Sequence, residues 1–139
     1  MTAAAKILIL LGASIFGVLG SIHFVYTFFG DKLLPRDRGV IDAMKSTTLT
    51  LTRETTIWDA WIGFNASHSL GALLLAAFYL LLAGLHMDVL ERSKSLLVVG
   101  ILAGLVYVWL AYSYWFRIPF AGVTIATACF IAALILLTL

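Results

Sequence analysis

Apolar residues run almost unbroken through four stretches of this chain, near residues 5–29, 58–85, 95–116 and 119–139, and polar residues gather in the connections between them. Each stretch reaches or exceeds the roughly 20 residues that an α-helix needs to cross the hydrocarbon core of a bilayer. The pattern predicts an all-α protein: an integral membrane four-helix antiparallel bundle, a single transmembrane domain over residues 1–139, with both termini on one side. The first stretch does not read as a cleavable signal peptide. One lysine, Lys6, precedes a very long apolar run, with no short core followed by an Ala-x-Ala site.

Only residues 30–57 form a long connection. Pro35 reads as a helix-start residue. Val40, Ile41, Met44, Thr48 and Leu51 then recur at helical spacing, with Arg38, Asp42 and Lys45 between them. This predicts an amphipathic segment on the bilayer surface or capping the bundle. The run Thr47-Thr48-Leu49-Thr50-Leu51-Thr52 weakens its second half, which is expected to be irregular. The connection at 86–94 is short and mixed in charge. Around Arg117-Ile118-Pro119 a tight turn is expected, because the residue before a proline is steered away from helix.

Small residues lie four apart in every span: Ala13, Gly17 and Ser21; Gly63, Ser67 and Gly71; Gly100 and Gly104; Gly122 and Ala126, then Ala128 and Ala132. Such spacing lets helix backbones approach closely where lipid supplies no hydrophobic drive.

Composition excludes several classes. Hydrophobic residues make up 63% of the 139-residue chain and charged residues 12%, which no soluble fold of this size accommodates. The net charge is +2, and the basic residues are scattered, so nucleic acid is not an expected partner. The lone Cys129 reads as small apolar filler. On the loop side lie Lys32, Arg36, Arg38, Lys45, Arg53 and Arg117, against Lys6, Arg92 and Lys94 on the terminal side. That count favours a cytoplasmic loop side, while Lys6 ahead of the first span favours the opposite orientation.

Against this apolar background the block Trp58 to Gly71 stands out. It opens the second span yet carries Asp59, Asn65, Ser67, His68 and Ser69. Hydrocarbon solvates such groups poorly, so they are expected to face protein, water or a ligand. Wound as a helix, Glu54, Trp58, Trp61, Asn65, His68 and Ala72 share one stripe. Counting helical rise inward from Phe29 and from Trp61 puts His23 and His68 about 9–10 Å deep on consecutive spans. Tyr26, Thr27, Ser69, Tyr112 and Tyr114 belong to the same loop-side half. A polar site is expected there, with His68, His23 and Asn65 as its chemical centre. Glu54, Trp58, Asp59, Trp61, Ser69, Tyr26, Tyr112 and Tyr114 would be its ligand contacts, and residues 36–52 a partial lid. Each of these residues also has a plainer role open to it: histidine and asparagine as interhelical glue, tryptophan and tyrosine as an interfacial belt, and His86 as a solvated turn residue.

No dinucleotide, P-loop, zinc-protease or nucleophile-elbow motif occurs. The block Trp61-Ile62-Gly63-Phe64-Asn65-Ala66-Ser67-His68, together with Pro35-Arg36-Asp37, is similar to segments of uncharacterised small four-span bacterial membrane proteins. The resemblance implies a bacterial inner-membrane location and assigns no functional residue. Three functions compete. The first is a polar intramembrane pocket for a small lipophilic ligand, with histidine-mediated proton transfer. The second is a structural or accessory subunit that packs against a membrane protein partner or a second copy. The third is a redox protein with His23 and His68 as b-type haem or metal ligands. No cofactor is specified by the residues themselves.

Overall fold

The structure, a computed structural model, describes all 139 residues. It contains six helices: α1 (Thr2–Phe28), α2 (Arg38–Ser46), α3 (Ile57–Leu85), α4 (Met87–Arg92), α5 (Lys94–Tyr114) and α6 (Arg117–Thr138). Helices α1, α3, α5 and α6 are long and apolar enough to cross a membrane and match the four expected spans to within a few residues. The chain is thus an all-α, multi-pass membrane protein. By internal packing it divides into two compact units, residues 1–19 with 72–139 and residues 20–71.

The larger unit is the four-helix bundle. Its centre is built from Ala5, Ile9, Ala13 and Phe16 of α1, Ala76, Tyr79 and Ala83 of α3, Leu97, Ile101 and Ala111 of α5, and Val123, Ala126, Phe130 and Ala133 of α6. Half of this core is alanine, and glycines extend the pattern. A Cβ built on Gly17 would lie 3.4 Å from the Ala76 methyl, and one on Gly104 would lie 3.1 Å from Thr127 Cγ2. Small residues bring backbones close enough for dispersion to act over long stretches, the main association force available inside lipid. Gly12 does the same against the Ala126 carbonyl and the Phe130 ring.

The small-residue stripe of the second span behaves differently. Gly63, Ser67 and Gly71 are all exposed, and a Cβ on Gly63 would meet nothing within 4 Å. These residues do not pack inside the chain, contrary to the sequence expectation. Ser67 satisfies its hydroxyl by donating to the Phe64 carbonyl one turn back.

Tyr79 carries the largest polar side chain at the centre of the bundle. Tyr79 is 1% exposed and donates its hydroxyl hydrogen to the Leu96 carbonyl, near the start of α5. Its ring lies 4.9 Å from that of Phe130, which in turn sits 6.2 Å from Phe16. Tyr79→Phe keeps the ring and removes the bond. It should lower stability by about 1 kcal/mol, read as an earlier midpoint in unfolding by increasing denaturing detergent. An unchanged midpoint would show that the hydroxyl is incidental. At the same end, the Lys6 ammonium donates to the Gly84 carbonyl at 3.2 Å, placing a cation at the C-terminus of α3, where the helix dipole favours it.

Two local expectations, at Pro35 and at Pro119, need correction, and the irregular second half of the 30–57 connection is as expected. Helix α2 does not start at Pro35. Asp37 is its N-cap and accepts from the Gly39 amide at 2.8 Å, because a carboxylate satisfies an orphan amide and proline cannot. The helix ends at Ser46, short of Leu51, and Thr48 forms an antiparallel bridge with Thr56; the threonine run prefers extended backbone. The break before α6 falls at Trp115 and Phe116, two residues ahead of the Ile118–Pro119 bond, so that Pro119 lies in the first turn of α6. Its missing amide hydrogen has no partner to lose there. The 86–94 connection itself contains the short helix α4.

Candidate functional site

The second unit holds the end of α1, the 30–57 connection and the start of α3. Its α3 begins with a side-chain cap. The Thr56 hydroxyl accepts from the Asp59 amide at 3.1 Å and donates to the Asp59 carboxylate at 2.7 Å. Asp59 is therefore engaged as the acidic residue of a helix start, where the dipole favours it. Glu54 lies ahead of the helix and is exposed, so it does not extend the helical stripe. Trp58 and Trp61 stack with ring centroids 5.6 Å apart. The Lys45 ammonium sits 5.0 Å from the Trp58 ring, which ties α2 to α3 by a cation–π contact.

One turn deeper the polar groups converge. His23 Nε2 lies 2.9 Å from Asn65 Oδ1. Asn65 Nδ2 donates to the Trp61 carbonyl at 2.8 Å. The His68 ring meets that of His23 edge to face, with centroids 5.2 Å apart and planes at 75°. Backbone carbonyls around the cluster are covered too. Thr27 donates to the His23 carbonyl at 2.8 Å, and Ser69, fully buried, donates to the Asn65 carbonyl at 2.9 Å. His23, Asn65 and His68 are all half-buried. The three residues singled out as the chemical centre thus come together, with Ser69 directly behind them.

Tyr26 is 41% exposed on α1. Tyr112 and Tyr114 are 79% and 74% exposed on α5; their rings pair with Phe120 at 6.1 Å and with Trp109 at 6.4 Å. Two open clefts have volumes of about 220 and 230 Å³. They are lined by Ser14, Ile15, Val18 and Leu19, and by Ala111, Tyr112, Trp115, Phe116, Arg117 and Phe120. Two contributors escaped the sequence reading: Thr27 as a partner of the His23 carbonyl, and Trp61 as the backbone acceptor that orients Asn65. A threonine four residues after a histidine was the only signal for the first.

The geometry does not suit axial haem ligation. Two imidazoles bound to one iron from opposite faces need ring centroids roughly 6 Å apart, from metal–nitrogen bonds of about 2.0 Å, with a porphyrin between them. Here the rings touch edge to face, and Nε2 of His23 is already bonded to Asn65. No group of three or more histidine, cysteine, aspartate or glutamate residues is placed to hold a metal ion. What the cluster can do is donate, accept and exchange protons through two adjacent imidazoles. No family model, no curated protein and no solved structure matches this chain.

Proposed function

We propose that this protein binds the polar head of a small lipophilic molecule at the His23–Asn65–His68 cluster, within a bacterial inner membrane. The observation that carries this reading is the hydrogen-bonded line from His23 through Asn65 to the Trp61 carbonyl, with a second imidazole set against the first. A single histidine bonded across two helices is adequate as glue. Two in ring contact, both half-buried at membrane depth, form a place where a polar head and a proton can be held. Any chemistry there is proton transfer through imidazole.

A second reading, a structural or accessory subunit, is favoured by a different observation. Every fully buried side-chain nitrogen and oxygen already has a partner, and the Gly63, Ser67 and Gly71 face of α3 is left open.

The histidine ring nitrogens decide between them. The protein has only three histidines, and His86, exposed in the α3–α4 turn, is an internal reference. With ¹⁵N-histidine-labelled protein in lipid nanodiscs, titration of a long-chain alkylphenol should shift the ring signals of His23 and His68 and leave those of His86 in place. Equal movement of all three, or of none, would remove the ligand reading.

A further inference from the structure

The hydrogen bonds of Asn65 fix which proton His23 carries, and with it the kind of head group the site accepts. The Trp61 carbonyl can only accept, so the nitrogen of the Asn65 amide must face it. The amide oxygen is then the atom that faces His23, 2.9 Å from Nε2. An oxygen with no hydrogen can only accept, so Nε2 carries the hydrogen. In the neutral ring the lone pair is therefore on Nδ1.

Nδ1 makes no hydrogen bond within the protein. It is also not sealed inside, because no fully buried side-chain nitrogen or oxygen lacks a partner. An unpartnered Nδ1 on a half-buried residue must reach the molecular surface. His23 lies five residues before the end of α1 at Phe28, which is about 7–8 Å inside the helix end. An acceptor within a membrane-spanning helix that has no protein partner is a demand for a donor.

Resting on the binding reading above, we propose that the site selects lipophiles whose head donates a hydrogen bond, such as alcohols, phenols or quinols, over matched molecules whose oxygen can only accept. Asn65 is the positioning residue. It sets the tautomer from one side while the ligand is read from the other. The neighbouring protein hydroxyls do not compete for Nδ1, since Thr27 and Ser69 are committed to backbone carbonyls.

The test uses 4-nonylphenol and 4-nonylanisole, which share tail and ring and differ only in the phenolic hydrogen. With ¹⁵N-histidine-labelled protein in nanodiscs, the free protein should show His23 protonated at Nε2 and bare at Nδ1. Nonylphenol should move the Nδ1 signal and bind about tenfold more tightly than nonylanisole, the worth of one good hydrogen bond. In Asn65→Leu the tautomer is no longer held. The Nε2–H population should fall, and the preference for the phenol should shrink to less than about threefold. A His23 ring bare at Nε2 in the wild-type protein overturns the proposal. So does equal affinity for the two molecules, although equal binding that still shifts His23 and His68 alone leaves the binding site itself standing. If neither molecule moves His23 or His68 beyond His86, both the site and its selectivity fail together.

Discussion

Gly100→Ala should destabilise the bundle by about 1–3 kcal/mol, the range for adding volume to a filled core, although alanine is the better helix former. The added Cβ would lie 2.6 Å from both Cζ and Oη of Tyr79 and 2.8 Å from its Cε2. Tyr79 has little freedom to retreat. It is fully buried, its hydroxyl is committed to the Leu96 carbonyl, and its ring is held against Phe130 and at right angles to Phe78. Either α5 moves away, opening contacts along the α5–α6 pair, or the tyrosine swings out and strands a polar group. Gly63→Ala is the matched control, since its Cβ meets nothing within 4 Å. That change should be neutral or stabilising by up to about 1 kcal/mol, the helix-propensity gain alone. Unfolding midpoints in mixed detergent compare the two. Equal losses at both positions would show that glycine serves backbone flexibility in this protein and not close packing.

The contrast between these glycines marks where the sequence stops being informative. The four spans are legible because apolar runs of that length, repeated four times in so short a chain, exceed what a water-soluble core can cover. Their rotation is not. In water, a helix betrays its inner face by the alternation of apolar and polar residues. In lipid, the outward face is as apolar as the inward one, so Gly63, Ser67 and Gly71 look just like Ala13 and Gly17 until the packing is seen. Tyr79 was hidden for the same reason, lying inside a run of leucines and alanines with no polar neighbour to flag it. Boundaries were legible to within a few residues, and where they slipped the cause was specific. Asp37 outcompetes Pro35 as a helix start because it supplies an acceptor, and Pro119 is comfortable inside a first turn.

The polar cluster was more legible than the packing, because a polar side chain in hydrocarbon is conspicuous. His23 and His68 were matched by depth, and Asn65 by the helical stripe it shares with His68. Tyr112 and Tyr114 sit in the same loop-side half in sequence, and depth alone does not foretell that both are largely exposed on α5. Glu54 was placed on the stripe by extending the α3 helix backward. The true start, at Ile57 after the Thr56 cap, leaves Glu54 outside the helix and gives Asp59 a structural bond.

His68→Ala should weaken alkylphenol binding by about tenfold or more, equivalent to losing at least one polar contact, in a protein that still purifies as a folded, monodisperse species. The ring it removes lies against His23, while the His23–Asn65–Trp61 line and the Thr27 and Ser69 bonds do not pass through it. The hydrogen bonds that orient His23 and Asn65 are therefore not removed directly by the change. If the cluster is only interhelical glue, the outcome inverts: stability falls by about 0.6 kcal/mol, the average for hydrogen bonds between membrane helices, and by no more than about 1.7 kcal/mol, and there is no binding to lose. Asn65→Ala separates the two further, because it cuts the line itself and should lower stability on either reading. A protein in which Asn65→Ala and His68→Ala lose stability alike, with no lipophile bound by the parent, is an accessory subunit. A protein in which Asn65→Ala loses stability while His68→Ala chiefly loses ligand has its function at the second imidazole, with the first held in register by an amide.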